Sequence, residues 1–138
     1  MAISKIQLTI QVLEGTYAVS RLDSKARIPE WATSGNGFLT ISRTFDELSI
    51  VSLQELVPEN VRSQGDWRCL KIQGPLDFSM TGVLASISSP LAENKVPLFA
   101  VSTFDTDYFL LKSRDLERAC EALVNVGHQI KRSPSEAN

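Results

Sequence analysis

"DWRCLKIQGPLDFSMTGVLASISSPLAENKVPLFAVSTFDTDYFLLK", residues 66–112, changes its apolar rhythm three times. The first part, 66–74, alternates apolar and polar side chains through Cys69, Leu70, Lys71 and Ile72 and stops at Gly74-Pro75, as a strand entering a loop does. Leu76, Met80, Val83, Leu84, Ile87 and Leu91 then recur at helical spacing. Asp77 is an expected N-cap, because its carboxylate can accept the free N–H groups of a first turn. Pro90 lacks an N–H and should weaken the last turn. "KVPLFAVSTF" reads as a buried strand and "DYFLLK" as its hairpin partner, with Asp105 and Thr106 near the turn.

Outward from this stretch, "SRDLERACEALVNVG" is a second helix, capped by Ser113 and left at Gly127. Its expected buried face is Leu116, Ala119, Cys120, Leu123 and Val124. "HQIKR" is a short last strand. The order strand, helix, strand, strand, helix, strand is the ferredoxin-like βαββαβ pattern of an α+β fold, an antiparallel sheet with helices on one face.

The first half is a looser version. "KIQLTIQV" and "GTYAVSRL" read as strands, and "FLTISRT" with "ELSIVSL" as a hairpin. In "ISRTFDELSIV" (41–51) the Thr-Phe-Asp of "VSTFDTDYFLL" (101–111) appears a first time. The segment between, "DSKARIPEWATSGNG", holds Pro29 and a Ser-Gly-Asn-Gly run and cannot form a long amphipathic helix. "QELVPENVRSQG" is a turn or a single helical turn. These features predict two tandem units: a degenerate one over 1–63, a complete one over 64–132, and a polar tail over 133–138.

The chain has 138 residues, a formal net charge of −2 and 22% charged residues. Lys131-Arg132 is only a pair, so there is no basic cluster for nucleic acid or an anionic membrane. "MAISKIQLTIQVLEG" alternates like a strand rather than a signal peptide, and no run approaches the about 20 apolar residues of a membrane helix. A cytoplasmic location is the expectation. Cys69 and Cys120 read as core thiols, and one histidine, His128, leaves a Cys/His metal set without ligands or spacing. No nucleophile elbow, zinc-protease or phosphate-loop motif occurs, so neither a cofactor nor catalysis is expected. Trp31 and Trp67 read as core residues of the smaller unit.

Two features converge on a ligand reading. The helix-leading loop "GPLDFSMTG" would offer free N–H groups to a carboxylate, with Ser79 and Thr81 adding hydroxyls. The tip "STFDTD" would offer Asp105 and Asp107 to an ammonium, with Phe78 and Phe104 as apolar walls. Together they suit a free amino acid. The plainer reading has Asp77 only capping its helix and Asp105 and Asp107 only making a turn.

"DELSIV" (46–51), "WRCLKIQGPLDFSMTGVLASISSPLA" (67–92) and "LFAVSTFDTDYFLLK" (98–112) resemble small bacterial proteins built of two ACT domains. That group is similar to the regulatory ACT modules of aspartate kinases and to the animal cytosolic arginine sensor. The resemblance implies a non-catalytic fold that binds a free amino acid at an interface between ACT units, often as a homodimer whose sheets join. It implies a ligand-binding set of Gly74, Pro75, Leu76, Asp77, Phe78 and Ser79 on the loop, facing Ser102, Thr103, Phe104, Asp105 and Asp107. No catalytic domain accompanies the repeats, so the regulated partner would be a separate protein. The alternative is a dimerisation or interaction module without a small-molecule ligand.

Overall fold

The computed structural model describes residues 6–76 and 81–133. In chain order its elements are β1 (Thr9–Val12), β2 (Tyr17–Leu22), β3 (Thr40–Arg43), β4 (Leu48–Leu53), β5 (Ser63–Ile72), α1 (Val83–Glu93), β6 (Leu98–Ser102), β7 (Asp107–Lys112), α2 (Leu116–Asn125) and β8 (Gln129–Arg132). Short 3-10 turns stand at Glu30–Thr33, Gln54–Leu56 and Ser113–Asp115. Contacts divide the chain into Gly15–Trp67 and a second unit of Met1–Glu14 with Arg68–Asn138.

That division differs from the expected boundary between residues 63 and 64. β1 opens the chain but pairs in the unit that holds both helices. It runs antiparallel to β5, with Ile10 opposite Ile72, and parallel to β8, with Ile10 opposite Ile130. The strand order there is β6–β7–β5–β1–β8. The expected all-antiparallel sheet therefore has one parallel pair, because a strand from the chain start is inserted between β5 and β8.

One face of this sheet carries the core. Ile10 and Val12, Leu70 and Ile72, and Phe109 and Leu111 alternate along their strands onto that face. They cluster with Val83, Ile87 and Leu91 of α1 and Leu116, Ala119 and Leu123 of α2. Each fully buried Leu or Ile here contributes about 1.5–3 kcal/mol. Both helices lie on this face. Cys69 and Cys120 are buried free thiols, as their apolar surroundings in the sequence suggested.

The helix ends depart from expectation. α1 begins at Val83, with Gly82 as N-cap at φ 80. That left-handed backbone, at little cost to glycine, separates the helix from the preceding residues. The cap assigned to Asp77 is thus not at the helix start, and Asp77 with Met80 lies outside the described residues. α1 ends where Lys95 turns to φ 60 and the Val96 N–H reaches back to Leu91 O at 2.9 Å. α2 is entered through the 3-10 turn at Ser113–Asp115, so its N-cap position is Asp115 rather than Ser113, and the Asp115 side chain makes no capping bond. Asp115 is buried and pairs with Arg118 at 3.0 Å. Gly127 leaves the helix at φ 104, as expected. Val124, assigned to the buried face of α2, is 52% exposed, and Leu84 of α1 is 41% exposed.

In the smaller unit the order is β3–β4–β2–β5, using the first half of β5. Its core of Ala32, Leu48 and Ile50 gathers Leu22, Ala26, Trp31 and Ile41. The segment between β2 and β3 covers it with one 3-10 turn, not a helix. Arg43 fixes that segment by donating from its guanidinium to Ser24 O and to Ala26 O. This unit is a βαββαβ unit whose helices have shrunk to turns. Among the described residues no helix is long and apolar enough to cross a membrane.

Candidate functional site

The loop after β5 and the turn between β6 and β7 meet through backbone. Gly74 lies so close to the turn that a Cβ there would stand 3.0 Å from Asp105 O and 3.1 Å from the Thr106 Cβ. The Gly74-Pro75 peptide is cis. Leu76 then donates its N–H to Asp105 O at 2.8 Å. Beneath them Thr106, 4% exposed, donates its hydroxyl to Ile72 O at 2.7 Å. Sequence reading passes over Thr106, since nothing marks one polar turn residue between two aspartates as the buried one.

The turn itself is closed by its threonine. Thr103 donates its N–H to Thr106 O at 2.8 Å, and its hydroxyl donates to the same carbonyl at 3.0 Å. Just outside, Ser102 Oγ donates to Asp107 Oδ1 at 2.6 Å across the β6–β7 pair. The structure thus brings Gly74, Pro75 and Leu76 together with Ser102, Thr103, Asp105 and Asp107 at one end of this sheet. Ser102, Thr103 and Asp105 are exposed and Asp107 is half-buried. Phe104, expected as a pocket wall, is 81% exposed, because the tight turn throws its side chain outward. Asp77, Phe78 and Ser79 lie outside the described residues. The free helix N–H groups expected beside them belong instead to the turn starting at Val83, several residues along.

The first hairpin repeats the turn. Thr44 donates its N–H to Glu47 O at 2.9 Å, its hydroxyl faces the same carbonyl at 3.4 Å, and Phe45 is fully exposed. The copies differ in what docks on the third residue. Asp105 O receives the backbone of the loop, whereas Asp46 O receives the Arg21 guanidinium at 2.9 Å. A side chain of the unit's own strand occupies the place that the helix-leading loop takes in the second copy.

The remaining chemistry is quiet. Burial pushes the Cys69 thiol up to about 12 and raises that of Cys120, against the pull of Arg132, so neither offers a thiolate near neutrality. Among the described residues no three His, Cys, Asp or Glu side chains gather to hold a metal. His128, the single histidine, is 3% exposed. Its Nδ1 accepts the Leu8 N–H at 3.0 Å and its Nε2 faces Ser86 O at 3.0 Å, so the ring ties the residue before β1 to α1.

Comparisons with known proteins agree with this geometry. A family model described as an ACT domain matches residues 62–125, and a model of an N-terminal domain matches residues 15–60. A crystal structure of a protein from Agobacterium tumefaciens is 43% identical, with a TM-score of 0.87 over 93% of this chain and 95% of its own. The regulatory subunit of aspartate kinase from Thermus flavus aligns at a TM-score of 0.62 and 10% identity, over 88% of this chain and 99% of that one. The aspartate kinase of Clostridium acetobutylicum, an allosteric enzyme, aligns at 0.64 and 12% identity over 92% of this chain but only 36% of its own. The last two likenesses are of fold.

Proposed function

The chain belongs to the ACT-domain family, and we propose that it is a non-catalytic regulatory member that senses a free amino acid. One observation carries the reading: in only one of two equivalent hairpins is the tip docked on the loop after the preceding strand. There Leu76 and Gly74 meet Asp105, with Ser102 and Asp107 at the same end of the sheet. An ammonium group would be held by the carboxylates of Asp105 and Asp107. Backbone N–H groups of the loop, over Asp77, Phe78 and Ser79, would hold the carboxylate. The ligand acts by binding one state of the protein better than the other. Homodimerisation, a cytoplasmic setting and a separate regulated protein belong to the same reading. The aspartate kinase subunits of this fold are regulatory by description, which supports the regulatory role.

Calorimetric titration with each of the twenty amino acids tests the reading: heat and a thermal shift from at least one, both lost in Asp107→Asn, are expected. A second reading, an interaction module with no ligand, draws on the Ser102–Asp107 bond. A carboxylate satisfied within its own hairpin needs no guest. Under that reading none of the twenty gives heat at millimolar concentration.

A further inference from the structure

The β6–β7 and β3–β4 turns share Thr-Phe-Asp and differ in the fourth residue, Thr106 in one and Glu47 in the other. Each hairpin lies beside a further strand, β7 on β5 and β4 on β2. On β5, Gln73 donates its N–H to Thr9 O at 2.8 Å and Cys69 O accepts the Leu13 N–H at 2.9 Å, so both residues turn their backbone groups to β1. Backbone direction alternates along a strand, so Ile72 turns its carbonyl to the β7 side. Thr106, the residue before β7, meets that carbonyl with its hydroxyl at 2.7 Å. A side chain thus adds one rung where the strand gives way to the turn. Glu47 cannot make such a rung, because a carboxylate accepts hydrogen bonds and donates none.

We propose that Thr106 is the positioning residue that seats the second hairpin tip on the loop after β5. Its consequence for an amino acid rests on the sensing role proposed above. Thr106 stands between Asp105 and Asp107, the two carboxylates of that reading, and at 4% exposed it acts through these neighbours rather than by touching a ligand. Its hydroxyl fixes the turn to β5, and its carbonyl receives the N–H and the hydroxyl of Thr103. One residue earlier, Asp105 O receives the Leu76 N–H at 2.8 Å. These bonds tie the turn and the start of the loop to one strand end. Packing points the same way: a Cβ on Gly74 would stand 3.1 Å from the Thr106 Cβ, so the loop rests on this side chain. In the first hairpin, whose fourth residue carries no side-chain donor, Asp46 O takes the Arg21 guanidinium instead of loop backbone. The hydroxyl at the fourth position therefore decides which tip carries the loop, and it sets the spacing of Asp105 and Asp107 around an ammonium.

Amide hydrogen exchange of the full chain, followed by NMR, tests the seating without any ligand. The Leu76 N–H should be protected in wild type. Thr106→Val keeps the branched shape and removes the donor, so Leu76 should exchange about tenfold faster, roughly the worth of one hydrogen bond. Gln73, whose N–H bonds to Thr9 O, should keep its rate. Thr106→Ser keeps the hydroxyl and should restore the wild-type rate at Leu76. Calorimetric titration of the same three proteins with each of the twenty amino acids is the second arm. The dissociation constant of any that gives heat with wild type should rise about tenfold in Thr106→Val and return in Thr106→Ser. Equal Leu76 exchange in wild type and Thr106→Val, or a serine variant as fast as the valine one, overturns the seating role. Equal acceleration at Gln73 overturns it too, since Thr106 would then support the sheet as a whole. Unchanged affinity in Thr106→Val overturns its part in binding. No heat from any amino acid with wild type, beside the expected exchange pattern, sinks the sensing role and supports the seating role.

Discussion

His128 is the side chain whose role was least visible in the sequence. It follows Gly127 and precedes Gln129 and Lys131, a setting that looks like surface. In the fold it is buried, with Leu8 N–H on one ring nitrogen and Ser86 O on the other. His128→Ala leaves both backbone groups unpaired in a dry place and opens a cavity. Urea unfolding at pH 7 should show a loss of about 2–4 kcal/mol. The Glu117–Arg132 pair is exposed and worth far less. Hydrogen bonding to Arg132, then its charge, holds the Glu117 carboxyl below its usual range, while slight desolvation opposes both. A depressed carboxyl pKa adds stability that is present above the unfolded value, about 4.3, and is lost as pH falls through the folded one. Glu117→Gln should therefore cost under about 1 kcal/mol near neutrality. Melting curves of the variant and wild type should converge below the folded pKa of Glu117.

Among the elements, the two hairpins were legible from residue identity alone, because Thr-Phe-Asp closes the same turn twice. What docks on each turn was not legible, since Gly74 and Arg21 reach Asp105 and Asp46 only through the fold. The start of α1 was misplaced for a physical reason. Leu76 and Met80 keep helical spacing with Val83, and Asp77 is a good cap, but Gly82 in a left-handed conformation begins the helix later. The two hairpins also give a matched pair of variants. Gly74→Ala drives a Cβ against the Asp105 carbonyl, which is backbone and cannot swing aside. It should cost about 1–3 kcal/mol and abolish ligand heat. Arg21→Ala removes one exposed bond in the other hairpin, should cost about 1 kcal/mol or less, and should leave ligand heat intact. Paired denaturation and calorimetry of the two variants check this, and equal loss of binding in both would place the site outside the second hairpin.

For the whole molecule, α+β class and the βαββαβ order of the second half followed from apolar period and turn residues. The division into units did not. "KIQLTIQV" reads as a strand whatever it pairs with, and only the fold shows β1 between β5 and β8. The shrunken helices of the smaller unit were legible, because Pro29 and the Ser-Gly-Asn-Gly run deny a helix its length. An ACT-domain model matches residues 62–125, and the Agobacterium protein is 43% identical over nearly the whole chain. The sensing role is the central claim, and calorimetric titration of wild type and Asp107→Asn with each of the twenty amino acids tests it most directly. The account predicts saturable heat from at least one amino acid with wild type, and its loss in Asp107→Asn at unchanged melting temperature. No heat from any of the twenty at millimolar concentration, or equal heat from the two proteins, would contradict it.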